Sequence, residues 1–527
     1  MTLDHQAVTA LRLYLPISFI GAWRWSVWLV RRVAGLFYRP LRTPWPENKP
    51  RPRVSVVIPV YNEVPEIFQK AVESFARNNV FEVVAVIDRT DSRNIFYFET
   101  AAKKLGISTK LIVTSKPGKR PCLVDGILAS RGEVIALVDS DTIWEDRVAE
   151  LSIPYFLNPQ IGAVTIRQKV YQPKCLSQVL FDLLLHTRYT EELPYMAATG
   201  HVVNTISGRT GIYRREALLN DSHDNMHLLT HEYYFKSRCI SGDDKRLTHL
   251  IQQQGWLVGY QGLAVVYTPG ADTMKTFLKQ RLRWTRNSWR ADTRAFYLGW
   301  IFRHPALALY NFDRFLQPFF MLFGLSVFIF SALSGEWKLA GIILAWWLIT
   351  RFLRLTGYFI HHPQRIIYLP AYLIFSFWTA VVKLYALFTI VEQGWITRWH
   401  SSRLKKSRNL AHYQGFALTT LTFAAIFGLA VAWRGYVEHR VEVATVEAKT
   451  VLYYSAENIA PPADTTHLPK LPGNATNAST YKKYRVEKGD TLIDISQKLN
   501  VSVDVLRYTN LITNRNKIQE GDILYFP

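Results

Sequence analysis

Four apolar stretches, 316–334, 337–360, 366–391 and 413–433, fall in the second half of the chain, and each is near the length that crosses a bilayer. Four such runs in close succession tie this part of the chain to a lipid bilayer. A fifth apolar stretch, 11–38, holds Arg24, Arg31 and Arg32 within and after its core. A cleaved signal peptide places its positive charge ahead of the apolar run. Residues 1–51 therefore read as a membrane helix with a basic linker. Arg39, Arg42, Lys49, Arg51 and Arg53 then place the C-terminal end of that helix in the cytoplasm.

The net charge is +22 over 527 residues. No basic run is interleaved with base-stacking aromatics, so nucleic acid is not the expected partner. The basic residues crowd beside apolar segments, as the positive-inside rule requires. A second reading of the same excess is a channel suited to a polyanion. Cys122, Cys175 and Cys239 form neither a CxxC pair nor a disulfide framework.

Arg351, Arg354 and Arg365 precede the 366–391 stretch, and Arg398, Arg403, Lys405, Lys406 and Arg408 follow it. Both its ends thus favour the cytoplasm. Two full passes need roughly 40 residues, more than this stretch supplies, so it is expected to lie in the interface or to re-enter. The helix at 413–433 then leads outward and puts the C-terminal segment outside the cell membrane. If 366–391 does cross, that segment stays inside. Arg351 and Arg354 are expected to snorkel to the cytoplasmic surface.

Between the membrane segments, residues 52–290 alternate short β-branched runs with helical patterns. VSVVIPV (54–60), VVAVID (83–88) and VIALVD (134–139) are bounded by turn residues, as buried parallel strands are. The result is an α/β domain of βαβ units. Open parallel sheets bind ligands at the carboxyl ends of their strands. Those ends carry Tyr61, Asn62 and Glu63; Asp88; and Asp139-Ser140-Asp141. Carboxylates two apart on an extended segment point the same way, and with a divalent cation they suit a diphosphate. Further on come Asp243 and Asp244 in SGDDK, one of them suited to take a proton and both able to favour a helix start. QRLRWTRN supplies Gln280, Arg283 and Trp284. The Arg suits charge on a leaving diphosphate, and the Trp offers a face for a sugar ring. The same pattern also fits an amphipathic helix on a membrane.

Taken in order, VSVVIPVYNE, Asp88, Asp139-Ser140-Asp141, Gly242-Asp243-Asp244 and Gln280-x-x-Arg283-Trp284 resemble the processive family 2 glycosyltransferases, such as the hyaluronan, chitin and cellulose synthases. The resemblance covers about residues 10–433. It implies an α/β GT-A-like domain (52–290) joined to interfacial and transmembrane helices that form a translocation channel (291–433). It also implies roles. Asp244 is the catalytic base. Asp88 holds the nucleotide, with Tyr61 and Glu63 beside it. Asp139 and Asp141 contact the diphosphate and its Mg²⁺ or Mn²⁺. Gln280 and Arg283 bind diphosphate, and Trp284 binds the acceptor sugar. KPGKR (116–120) resembles a segment that sets Lys119 and Arg120 near the donor. SGRTGIYR, with Ser207, Gly208 and Arg209, matches the acceptor-side loop. QGWITR (393–398) resembles a product-contacting motif but has Ile396 where glycine is usual. The pair SGRTGIYR and SGDDK, with GAWRWS, is similar to the mannuronan synthase subunit of alginate-making bacteria. This favours a uronate-containing polymer made from a UDP- or GDP-sugar and exported across the cell (inner) membrane.

Residues 434–480, with Pro461, Pro462, Pro469, Pro472 and Gly473, read as a linker. Residues 484–527 resume compact patterning, with Thr491 able to cap a helix that Asn500 ends. They resemble a LysM domain, which implies a βααβ fold and a peptidoglycan or other N-acetylglucosamine-containing ligand. Two other functions fit the sequence: transfer of single sugars to a lipid carrier, or a wall-binding protein with an inactive transferase domain.

Overall fold

The computed structural model describes residues 5–102, 104–219, 224–392, 411–436, 482–510, 512 and 518–526. The 393–398 motif and residues 437–480 of the expected linker lie outside the described residues. Two compact units emerge, one of Arg24–Gly428 and the other of Met1–Trp23 with Leu429–Pro527.

The first unit is organised by an eight-stranded mixed sheet. Its strands are β1 (Val54–Val60), β2 (Glu82–Asp88), β3 (Ser108–Thr114), β4 (Val134–Val138), β5 (Ile143–Trp144), β6 (Ile161–Val170), β7 (Thr210–Arg214) and β10 (Leu257–Thr268), with the hairpin β8 (Tyr233–Tyr234) and β9 (Ser237–Arg238) standing apart. The order across the sheet is β3-β2-β1-β4-β7-β6-β10-β5. Strands β3, β2, β1 and β4 run parallel, joined by the helices Pro65–Arg77, Ser92–Ala102 and Lys119–Ala129. This is the expected βαβ half, and its runs of Val and Ile are buried on both faces. Strand β7 then enters antiparallel between β4 and β6, with Val138 opposite Thr210. That reversal brings the loop before β7 to the carboxyl end of β4.

Behind the sheet, the 24-residue helix Met274–Tyr297 leads to apolar helices. Among the described residues, four helices are long and apolar enough to cross a membrane: Pro305–Leu333, Trp337–His361, Pro363–Phe388 and Ala411–Tyr436. The first begins eleven residues before the apolar run read from sequence, because Asp313 and Arg314 interrupt hydropathy but not the helix. Asp313 is paired there with Arg24, at 3.0 Å, and with Arg31, both from the helix His5–Leu36. Arg354 pairs with the buried Glu191 at 2.8 Å.

Both ends of the helical segment 363–388 are tied to the sheet domain. Arg365 pairs with Asp182 at 3.1 Å near its start. Just past its end, Thr389 accepts from Arg286, and Ile390 O accepts from Arg290 at 2.8 Å. Between them Phe375 stacks on Phe277 at 5.3 Å, and Lys383 O accepts from Trp289 Nε1 at 2.9 Å. From Phe375 onward the segment runs alongside Met274–Tyr297.

In the second unit, the strands Lys482–Arg485 and Ile523–Phe526 pair antiparallel around the helices Leu492–Leu499 and Val503–Asn510. Thr491 and Asp494 form a reciprocal cap, and Asn500 closes the first helix in a left-handed conformation. Val486, Leu492, Ile495, Leu506, Leu524 and Phe526 make its core. This is the expected βααβ arrangement.

Candidate active site

Because β2, β1 and β4 are adjacent and parallel, their carboxyl ends open on one edge. Asp88 closes β2 and accepts from Thr90 N at 3.0 Å. Glu63, past β1, accepts from Ser140 Oγ at 2.8 Å. Desolvation and the nearby Asp141 push Glu63 above its ordinary value. Tyr61 is exposed on the same turn.

The Asp139-Ser140-Asp141 turn does not stand free. Lys119 Nζ lies 2.5 Å from Asp139 and 2.9 Å from Asp243. Arg209 pairs with Asp141 and lies 3.6 Å from Asp139. The loop before β7 thus delivers its arginine onto the paired carboxylates. It also lines the cleft: Ser207 donates to Gln168 at 3.0 Å, and Gly208 leaves the room in which Asp244 and Lys119 sit. A β-carbon at Gly208 would lie 3.4 Å from Asp244 Cβ and 3.5 Å from Lys119 Nζ. Lys119, Ser207, Gly208, Tyr213, Asp243 and Asp244 share this cleft.

Asp243 and Asp244 open the helix Asp243–Gln253, with Gly242 left-handed at its cap. Burial raises both acids. For Asp243, Lys119 outweighs that cost and holds the carboxyl below its usual range. For Asp244, burial and the charge of Asp243 together prevail and push it up. The charges of Asp243, Asp139 and Asp244 act on Arg283, on Met274–Tyr297, so the third motif converges on the first two. Trp284 is half-buried, tilted against Phe181 at 5.6 Å, and Gln280 lies one turn before it.

Arg120 departs from the expectation that sets it beside the donor. Its guanidinium is 3% exposed and is engaged by Glu232 at 2.7 Å, Leu229 O at 2.9 Å and Ser241 O at 2.8 Å. It braces the segment leading into Asp243 instead. Glu232, which also takes Arg294 and Arg246, is the hub of that brace, and no local pattern in the sequence marks it. Asp243, read only as one of two carboxylates, proves to be the far anchor of Lys119.

Asp139 and Asp141 share one arginine, so their oxygens face a common point. Two hard carboxylates of this kind suit a Mg²⁺ or Mn²⁺ ion that completes its shell with phosphate oxygens and water. Among the described residues no three acids, histidines or cysteines are placed to hold an ion by themselves. The donor set therefore fits an ion bound together with a diphosphate.

This mixed sheet, with its acid-lined edge, defines a GT-A-like glycosyltransferase domain. Residues 50–287 match the family described as glycosyltransferase like family 2, and residues 484–527 match the LysM domain. The chain is an enzyme with a family 2 glycosyltransferase domain and a C-terminal LysM domain. A type 2 glycosyltransferase of Zymoseptoria tritici is 25% identical over 408 residues, 72% of this chain and 83% of that protein. An N-acetylglucosaminyltransferase of Rhizobium leguminosarum bv. viciae is 26% identical, over 67% of this chain and 83% of that protein. Another N-acetylglucosaminyltransferase, from Rhizobium meliloti, is 27% identical over 68% and 85%. A mannosyltransferase from Pyrobaculum calidifontis, solved with GDP-Man and Mn²⁺, superposes with a TM-score of 0.48 at 18% identity, over 72% of this chain and 98% of that one.

Proposed function

We propose that this protein is a processive, inverting transferase that extends a glycan from a nucleotide sugar at the cytoplasmic face and passes it among its membrane helices. The observation that carries this reading is the meeting of Asp139, Lys119, Asp243 and Asp244 in one cleft, with Arg283 facing the same acids. Asp139 and Asp141 hold the donor diphosphate, with a divalent ion supplying charge neutralisation when bound. Asp88, Glu63 and Tyr61 lie where the nucleotide would rest. Asp244 takes the proton of the acceptor hydroxyl as it attacks the anomeric carbon. Its raised affinity for protons and its place in the cleft favour it over Asp243, which Lys119 engages. Arg283 and Lys119 offset charge on the departing diphosphate. Trp284, with Gln280 a turn away, offers its free side to the acceptor ring, and the Ser207–Arg209 loop lines the acceptor's approach.

The names of the rhizobial relatives support an N-acetylglucosamine donor. A hyaluronan-like product, in which such a residue alternates with a uronate, reconciles that with the uronate resemblance. The attachment of both ends of 363–388 to the sheet domain supports an interfacial segment that does not cross. The LysM domain then lies outside, where peptidoglycan or another N-acetylglucosamine-containing glycan is found. The purified full chain in lipid nanodiscs, given labelled UDP- and GDP-sugars singly and in pairs, should yield a long polymer. Single-sugar lipid-linked products would overturn processivity, and absence of transfer from every donor would overturn the reading itself.

A further inference from the structure

Three helices bring charged groups to the cleft, and one buried carboxylate outside it is tied to all three. Glu232 is 6% exposed. Arg120, at the start of the helix Lys119–Ala129, reaches it at 2.7 Å. Arg246, on the helix Asp243–Gln253, lies 3.7 Å from it. Arg294, on Met274–Tyr297, pairs with it as well. The same three helices carry Lys119, the Asp243 and Asp244 carboxyls, and Arg283.

Each arm is short. Lys119 and Arg120 are adjacent. Arg246 follows Asp244 by two residues, about 200° around the helix, so the acid turns to the cleft and the arginine to Glu232. Arg283 and Arg294 are eleven residues apart. That places them about 20° apart around one helix and about 16 Å along it. The chain around Glu232 is fixed by the same arginines. Arg120 donates to Leu229 O at 2.9 Å and to Ser241 O at 2.8 Å, and Arg294 donates to Tyr233 O at 2.6 Å. Ser241 Oγ donates to Asn287 Oδ1 at 2.9 Å, directly before the Gly242 cap.

Burial pushes the Glu232 carboxyl up, but Arg120, Arg246 and Arg294 outweigh it and hold the group below its ordinary value. Without that one negative charge, three guanidinium groups would face one another in a poorly solvated space. A buried network of this kind loses more than one contact when a member goes. The cleft would register the loss at Lys119. Its 2.9 Å contact with Asp243 spans two of the three helices, and its charge acts on Asp244.

We propose that Glu232 is a positioning residue for sugar transfer: through Arg120, Arg246 and Arg294 it sets the spacing of the helices that present Lys119, Asp244 and Arg283. The role rests on the base and donor assignments above and adds to them a residue that touches neither donor nor acceptor. Misplacement of reacting groups by about 1 Å costs about 10²-fold in rate, so a brace at this distance governs turnover as well as stability.

The test uses the full chain in nanodiscs with UDP-N-acetylglucosamine and UDP-glucuronate supplied together, and measures Tm, kcat and the acid limb of kcat/KM. Glu232→Gln should lower kcat about 10- to 100-fold. It should also move the acid limb to higher pH, because a displaced Lys119 no longer favours the charged form of Asp244. Glu232→Asp returns the charge and should recover much of both. Glu82→Gln is the control. Glu82 is also buried, accepts from Ser55 Oγ at 2.6 Å and pairs with Arg131 at 3.1 Å, at the end of β2 away from the cleft. Its loss should lower Tm and leave kcat and the limb in place. A lowered Tm in Glu232→Gln with kcat and limb unchanged would overturn the role, as would the same kcat and limb changes in Glu82→Gln. Arg294→Gln keeps the carboxylate and removes one arm. It should give a smaller fall in kcat with the limb moved the same way, and an unchanged kcat and limb there decides against Glu232 even where Glu232→Gln does not fold. Absence of transfer by the unaltered chain would instead overturn the donor reading, and this role with it.

Discussion

Asp243 and Asp244 are consecutive residues whose protons are governed in opposite directions. Asp243 lies 2.9 Å from Lys119 and is held below the usual carboxylate range, whereas burial and the Asp243 charge push Asp244 above it. About 100° of helix separates an acid that anchors a cation from the one proposed as proton acceptor.

As the proposed base Asp244 acts deprotonated, so activity should fall as pH drops through its raised pKa. The acid limb of kcat/KM should lie above the ordinary carboxylate value. Asp244→Asn should lower kcat by about 10²- to 10⁴-fold, the usual range for a general base, while UDP binding persists. Near-normal turnover in that variant would refute the assignment.

Lys119 opposes the upward shift of Asp244, holds Asp243 below its usual range and pairs with Asp139. Lys119→Met should therefore move the acid limb to still higher pH and raise KM for the donor. An unshifted limb, measured with saturating acceptor, would show that Lys119 is not coupled to the base.

Gly242 sits at φ +83°, and a β-carbon there would lie 3.0 Å from the Asn287 side chain. Gly242→Ala should cost about 1–2 kcal/mol from the left-handed backbone alone. It should also shift the start of the helix that carries Asp244. A lowered Tm with a disproportionate fall in kcat is expected, and a change in Tm without any in kcat would detach Gly242 from the chemistry.

Chelation should abolish transfer reversibly, because Asp139 and Asp141 alone complete no coordination shell. EDTA should remove activity and weaken UDP binding, with Mn²⁺ or Mg²⁺ restoring both. Full turnover in EDTA would rule out an ion at this pair.

Removal of residues 482–527 deletes a domain with its own core. Transfer measured in nanodiscs should be unchanged, while retention on insoluble peptidoglycan or chitin should be lost. Equal retention of the shortened chain would assign glycan capture elsewhere.

Sequence alone settled what depends on local pattern. β-Branched runs at 54–60, 83–88 and 134–139 specify buried strands, their terminal acids mark one edge of a parallel sheet, and long apolar runs specify helices long enough to cross a membrane. Thr491 and Asn500 likewise fix the ends of a LysM helix, since caps act within a turn. What sequence could not settle is which distant charges meet. Lys119 bridging Asp139 to Asp243, Arg209 turning onto Asp141, and Arg120 withdrawn to Glu232 all join segments far apart in the chain. Adjacent lysine and arginine at 119 and 120 look interchangeable in the sequence. The helix they begin sends one to the cleft and buries the other, because successive side chains on a helix diverge by about 100°. The two aspartates that follow Gly242 part in the same way, and the choice between anchor and proposed base is made by the lysine that tertiary packing brings to one of them.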